Sequence, residues 1–249
     1  MTMLSPAPTT PPDERLPRYQ QLRDDLIRRL AAGEWAPGEA IPTEAELSTA
    51  YEVSTGTLRK AIDLLVAEGV VVRSQGKGTF VRRPRFDSSL FRFFRFKSAA
   101  GEAVMPTARI VRRVVTAPDE GVRQALRLGP RAKTIHLSRQ RLVEGRPVLA
   151  EEIWLPRDEF EPLASLPLDE FGDLLYPLYE RLCKQVVATA RETLRVERAT
   201  DTIAEVLRVA TGHPVIRVYR VASNFAGKPV ECRSTVGIAD EFQYEIEIR

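Results

Sequence analysis

Between residues 16 and 82 nearly every helix and strand boundary is set by a capping or turn residue, and this punctuation leaves few folds open. Leu22, Leu26, Ile27 and Leu30 recur at helical spacing, with Arg23, Asp24, Asp25, Arg28 and Arg29 on the opposite side. The spacing predicts an amphipathic helix over Tyr19–Leu30 that stops at Ala32-Gly33. Trp35-Ala36-Pro37-Gly38 then turns the chain, and Pro42 disfavours helix at Ile41. Thr43 with Glu46 three residues later is a capping box, which starts a short second helix through Ala50 with Leu47 facing inward. Ser54 caps a third helix over Thr55–Glu68, striped by Leu58, Ile62, Leu65 and Val66 and ended by Gly69. Two short strands follow, Val70–Arg73 and Thr79–Arg82, joined by the glycine-containing loop Ser74-Gln75-Gly76-Lys77-Gly78.

Three short helices followed by a small hairpin is the arrangement of a winged helix-turn-helix, in which the third helix enters the DNA major groove and the wing meets phosphate. The charge distribution agrees. Residues 1–53 hold five basic and nine acidic side chains, residues 54–97 hold ten and three, and residues 98–249 hold twenty-two of each, so the net charge of +3 comes from one basic block. At the start of the third helix Ser54, Gly56 and Thr57 are small enough for close approach to DNA, and Arg59 and Lys60 reach base edges or phosphates. Thr43, Thr55 and the wing residues Gln75, Gly76, Lys77 and Gly78 complete the candidate DNA-binding set.

The rest of the chain has a different texture. Residues 1–15 are proline-rich without apolar period and read as a disordered tail, residues 16–82 as the DNA-binding domain, 83–88 as a linker, and 89–249 as a second domain. Strands are expected at Ala108–Val115, Thr134–Val143, Val148–Leu155, Val186–Val196, Val215–Asn224, Val230–Val236 and Tyr244–Ile248. Helices are expected near Glu120–Leu126, Asp173–Leu182 and Asp201–Arg208, so the fold class is α+β. Ile135-His136-Leu137-Ser138-Arg139 with Glu144-Gly145-Arg146-Pro147-Val148 parallels Ile216-Arg217-Val218-Tyr219-Arg220 with Ala226-Gly227-Lys228-Pro229-Val230, a faint internal repeat of two hairpins.

Several classes are disfavoured. Cys183 and Cys232 stand far apart, and neither His136 nor His213 is spaced from a second ligand as in a metal motif, so no metal or other cofactor is expected. No apolar run is long enough to span a bilayer and no secretory leader is recognisable, which predicts a cytoplasmic protein without a membrane partner. No nucleophile–base set, paired-carboxylate motif or phosphate loop is present, so an enzyme reading has no residues to rest on.

The motifs Pro42-Thr43-Glu44-Ala45-Glu46-Leu47, Val53-Ser54-x-x-Thr57-Leu58-Arg59, Glu68-Gly69 and Gln75-Gly76-Lys77-Gly78-Thr79-Phe80-Val81 resemble the signature of the GntR family of bacterial regulators. Family members often carry arginine where Ala45 and Thr55 stand, a departure that implies a weaker grip on DNA or an altered operator. Residues 89–249 resemble the UTRA effector domain of the HutC branch through Arg139-x-Arg141, Glu144-Gly145-Arg146-Pro147-Val148, Glu151-Glu152-Ile153-Trp154-Leu155-Pro156, Leu175-Tyr176 and Gly227-Lys228-Pro229-Val230-Glu231. The resemblance implies a chorismate-lyase-like α+β fold, a small-molecule effector, a homodimer on a pseudo-palindromic double-stranded DNA operator, and repression as the commoner outcome. It also places Arg139, Arg141, Glu151, Tyr176 and Glu231 in the effector pocket.

Strand parity gives a separate hint. Arg139 and Arg141 share a face with Ile135 and Leu137, and Arg220 lies in the same way beside Ile216 and Val218, so these guanidinium groups point inward and need anions. Glu151 and Glu231 are either their internal partners or ligand contacts. An anionic effector is the expectation. Leu174 and Gly237 stand where phosphosugar-binding relatives carry serine and tyrosine, which argues against a sugar phosphate. The run Phe91-Arg92-Phe93-Phe94-Arg95-Phe96-Lys97 either caps the pocket or joins the core, and Trp35, Trp154 and Tyr179 read as core.

Overall fold

The computed structural model describes residues 15–83, 94, 96, 102 and 104–243. The expected tail, most of the 83–88 linker, the strand at 244–248 and, apart from Phe94 and Phe96, the aromatic–basic run lie outside the described residues. The chain divides into two compact units, Met1–Pro84 and Arg85–Arg249.

In the first unit α1 (Arg18–Ala31), α2 (Glu44–Ala50) and α3 (Thr55–Ala67) precede β1 (Val71–Ser74) and β2 (Gly78–Val81). The caps act as their sequence implies. Thr43 accepts from the Glu46 amide while the Glu46 carboxylate takes the Thr43 amide at 2.8 Å, and Ser54 accepts from the Thr57 amide at 3.2 Å. Each device satisfies amides that the first helical turn leaves without a partner. Leu22, Leu26, Leu47, Leu58, Ile62 and Leu65 are all buried and hold the three helices together. Gly69 takes a left-handed φ of 69°, and a Cβ there would meet Arg82 Nη1 at 2.6 Å. The sequence reading assigned only a turn before Pro42. The chain there also runs along β2: the Ile41 amide donates to Thr79 O at 2.9 Å, and Ala40 bridges Phe80.

The second unit is a six-stranded antiparallel sheet in the order β3-β4-β5-β8-β7-β6. Its elements are β3 (Thr107–Thr116), α4 (Glu120–Ala125), β4 (Thr134–Val143), β5 (Arg146–Pro156), α5 (Leu175–Cys183), β6 (Thr189–Arg198), α6 (Asp201–Leu207), β7 (Pro214–Ser223) and β8 (Pro229–Ile238). Strand β6 begins at Thr189, where pairing with β7 starts opposite Ser223, and not at Val186; Val186 and Val187 are both buried ahead of the paired segment and do not alternate as strand residues would. Three short 3-10 turns, Glu161–Ala164, Leu168–Phe171 and Ala239–Glu241, carry no period long enough to read from sequence.

The faint repeat is a duplication of architecture. Strands β3 to β5 with α4, and β6 to β8 with α6, are two β-α-β-β halves that meet where β5 pairs with β8, Glu152 opposite Ser234. Both halves open on Thr-Ala-Arg, at Thr107 and at Thr189, and both end their helix with an arginine in the left-handed region, Arg127 at φ 52° and Arg208 at φ 58°. One sheet face carries the apolar cluster of Ile135, Leu137, Ile153, Leu155 and α5; a second cluster joins Phe94 and Phe96 to Leu149, Ile216 and Val218. Between these clusters, along β4, β5, β8 and β7, lies a band of buried charge.

Candidate functional site

In the first unit the candidate DNA-binding residues gather around the start of α3 and the tip of the hairpin. Thr43, Ser54, Thr55, Gly56, Arg59 and Lys60 are exposed, Thr57 is half-buried, and Gln75, Gly76, Lys77 and Gly78 form an exposed loop. The hydroxyls of Thr43, Ser54 and Thr57 are already engaged in capping, since Ser54 Oγ and Thr57 Oγ1 lie 2.9 Å apart. They shape the helix starts at least as much as they face outward. Glu44 ties helix to wing: it accepts from Arg59 Nε at 3.0 Å and from Arg73 Nη2 at 3.0 Å. Arg73 also bonds Asp63 on α3. Arg59 and Lys77 therefore sit on elements locked to one another, with the Arg59 side chain 61% exposed. The sequence reading assigned no role to Glu44 or Arg73, although Glu44 stands within the quoted Pro42–Leu47 motif and Arg73 lies two residues before the wing motif that starts at Gln75.

In the second unit Arg139, Arg141, Glu151, Tyr176, Arg220 and Glu231 come together on one face of the sheet, and all but Tyr176 are buried to 3% exposure or less. Arg139 Nε donates to Glu151 Oε2 at 2.5 Å, and Arg141 Nε lies 3.5 Å from the same oxygen. Glu231 accepts from Tyr176 OH at 3.1 Å and Tyr179 OH at 2.8 Å. Arg220 donates from Nε and Nη2 to Glu192 Oε1 at 2.8 and 2.5 Å, and from Nη1 to Tyr176 OH at 3.1 Å.

The centre of the cluster is a residue the sequence reading passed over. Arg233 is 3% exposed, gives Nη2 to Glu231 at 2.6 Å and Nη1 to Glu151 at 3.4 Å, and lies 5.6 Å from the Tyr176 ring centroid. It stands two residues from Glu231 on the same strand face, the parity signal that could have found it. Tyr179, read as core, is fully buried and also hydrogen-bonded to Glu231, one helical turn from Tyr176. Trp154 is a correction: its strand parity puts it on the other sheet face, half-buried and stacked on His136 at 4.7 Å, while His136 Nε2 meets Glu152 at 2.5 Å.

Burial shapes the electrostatics. Desolvation alone raises the Glu151 carboxyl, yet the guanidinium groups of Arg139, Arg141 and Arg233 hold it well below the usual carboxylate range. Burial pushes Arg141 down to about 10, so it stays protonated at neutral pH. Burial opposes the charge on Arg233 as well, but Glu231 and Glu151 raise it well above its ordinary value. Desolvation lifts the Tyr176 hydroxyl to about 12, so both tyrosines remain neutral donors. Both glutamates are therefore internal partners in this state. The donors are not all used: among the described residues Arg139 Nη1 and Nη2 and Arg233 Nε are buried without a hydrogen-bond acceptor. An unmet buried donor on a cation is costly, and a cluster of this kind is weak evidence for stability. Among the described residues no group of histidine, cysteine and carboxylates is placed to hold a metal, and no helix is long and apolar enough to cross a membrane.

A three-helix unit with a hairpin wing, carrying exposed Arg59, Lys60 and Lys77 at the start of α3 and the wing tip, followed by a sheet domain with a buried polar cluster, defines a DNA-binding transcriptional regulator with a sensing domain. Residues 18–81 match the family described as bacterial regulatory proteins, gntR family, and residues 102–243 match the UTRA domain. The chain belongs to the GntR family, in the HutC branch that carries a UTRA effector domain. It is 31% identical over 215 residues to the "Probable fructoselysine utilization operon transcriptional repressor" of Escherichia coli K12, covering 85% of this chain and 86% of that one. It is 24% identical to the mannosyl-D-glycerate transport/metabolism system repressor MngR of the same organism, over 92% of this chain and 95% of that one. The crystal structure of PhnF from Mycobacterium smegmatis shares the fold, with a TM-score of 0.53 at 19% identity over 91% of this chain and 98% of that one.

Proposed function

We propose that this chain is a homodimeric repressor that binds a pseudo-palindromic operator through α3 and the wing and releases it when an anionic metabolite enters the Arg139–Arg233 cluster. The two Escherichia coli relatives named above carry the names of repressors, which supports the direction of control. One helix-turn-helix spans too few base pairs for selectivity, which favours two copies on a two-fold site. Such a protein works where the chromosome is, in the cytoplasm.

The observation that carries the effector reading is the unmet hydrogen-bonding capacity of Arg139, whose two terminal nitrogens are buried without an acceptor among the described residues. An anion satisfies a guanidinium fork by paired, charge-assisted bonds, which a neutral ligand cannot match. Arg141, Glu151, Tyr176, Arg220 and Glu231 frame the same place. The effector contacts Arg139 and Arg141 in this reading, with Tyr176 beside it. Operator binding measured against an anionic-metabolite library tests it with R139A and R141A. Both variants, once shown to be folded dimers, should bind operator within about twofold of wild type and ignore the metabolite that releases the wild type. A wild-type response in both variants sinks the reading.

A further inference from the structure

The candidate DNA-binding set holds three cations, Arg59, Lys60 and Lys77, and they differ in their company. The side chains of Lys60 and Lys77 are exposed and take no ion pair among the described residues. Arg59 gives Nε to Glu44 Oε2 at 3.0 Å, although 61% of its side chain is exposed. An exposed pair of this kind gains little stability after the loss of rotamer freedom, so stability does not account for it.

Glu44 is itself fixed. Its Oε1 accepts from Arg73 Nη2 at 3.0 Å, Arg73 also bonds Asp63, and the Glu44 side chain is 24% exposed. Glu44 is the first residue of α2, Arg73 lies on β1 and Asp63 on α3, so the carboxylate is tied to both neighbouring elements of the reading surface. Arg59 and Arg73 are balanced by Glu44 and Asp63, which leaves this corner neutral.

A carboxylate in such a place repels DNA phosphate, and an arginine already paired with it has little net charge to offer a phosphate oxygen. With Nε engaged, the donors left on Arg59 are Nη1 and Nη2. Their parallel N–H groups fit the O6 and N7 acceptors on the major-groove edge of guanine, a match that depends on the shape of the fork and not on net charge.

We propose that Glu44 is a specificity-determining residue of the DNA-binding unit: it withholds Arg59 from the phosphate backbone and aims its terminal nitrogens at a guanine edge, trading nonspecific affinity for selectivity. Lys60 and Lys77, without an acidic partner, supply the phosphate contacts. The inference rests on the reading of α3 and the wing as the DNA-contacting surface, and the effector plays no part in it.

The test uses the full-length chain, a random-sequence duplex, and the operator duplex that the wild type selects from a random pool. E44Q keeps the reach of residue 44 and removes its charge. Its affinity for the random duplex should rise at least about fivefold, with a salt slope steeper by about one per subunit, because Arg59 is then free to pair with phosphate. The ratio of operator to random-duplex affinity should fall at least about tenfold, with base preference relaxed at the guanine that Arg59 reads. E44D, which keeps the charge but draws it back by one methylene, should bind random DNA like the wild type and still lose that preference. In an R59A background, E44Q should leave base preference unchanged. The proposal is overturned if E44Q loses affinity for operator and random duplex alike, as a mere structural brace would, or if the ratio does not move. It is overturned equally if E44Q cannot fold while E44D reads bases like the wild type, or if the position that R59A relaxes is not a guanine. The surface reading beneath it fails on a different result: R59A and K77A that both bind the operator like the wild type.

Discussion

Single residues decide what each surface can do. Gly237 is the clearest case, because a Cβ built on it would lie 2.5 Å from Phe94 Cε1 and 2.6 Å from Leu149 Cδ2. No side chain has room there in this chain, where Phe94 and Leu149 fill the space. Gly237→Ala should cost about 1–3 kcal/mol through overpacking, measured by urea unfolding; a change within a few tenths of a kcal/mol would show that Phe94 is not held in place. On the DNA-binding side, Arg59 and Lys77 have different expected roles. Arg59→Ala should cost on the order of 1–3 kcal/mol and relax base preference at one position of each half-site. Lys77→Ala should weaken binding to all sequences alike and lower the salt slope by about one per subunit. Equal losses on random DNA for both variants would refute that division. Glu44 holds Arg59 by its Nε, so the side chain is already oriented before DNA arrives.

At the scale of elements, the sequence was legible where local chemistry decides. The capping box at Thr43 and Glu46, the Ser54 cap and the glycine that ends α3 are short-range signals, and the helices form within a residue or two of the expected bounds. Strand parity likewise put Arg139, Arg141 and Arg220 on the inward face, because the alternation along β4 and β7 is nearly unbroken. What could not be read depends on pairing between distant strands. Arg233 joins the cluster only because β8 lies between β5 and β7, and Glu192 matters only because β6 registers it against Arg220. Trp154 misled for the same reason: size suggested core, but its strand position assigns it to the face occupied by His136. The 3-10 turns between β5 and α5 left no period to find, although Phe160, Leu163 and Phe171 from that stretch enter the core.

At the scale of the whole molecule, the two units divide the work of reading DNA and sensing a ligand, and the assembly is expected to be a pair. Light scattering should report twice the chain mass, and footprinting should show two protected half-sites related by two-fold symmetry. A monomer protecting one asymmetric half-site would end that account.

The duplicated sheet also bears on how the chain reaches its native state. Within each half, β4–β5 and β7–β8 are hairpins closed by short turns, and such contacts form within microseconds. The seam between β5 and β8 is another matter, because it joins Leu149 to Gly237 and Trp154 to Cys232 across about half of the domain's length. Closing so long a loop is entropically unfavourable until the apolar rows on either side come together, so the seam should be the slow event in folding. Until it closes, each half carries an open central strand edge, and those two edges, more than any part of the finished surface, are where a crowded or heated preparation should begin to aggregate.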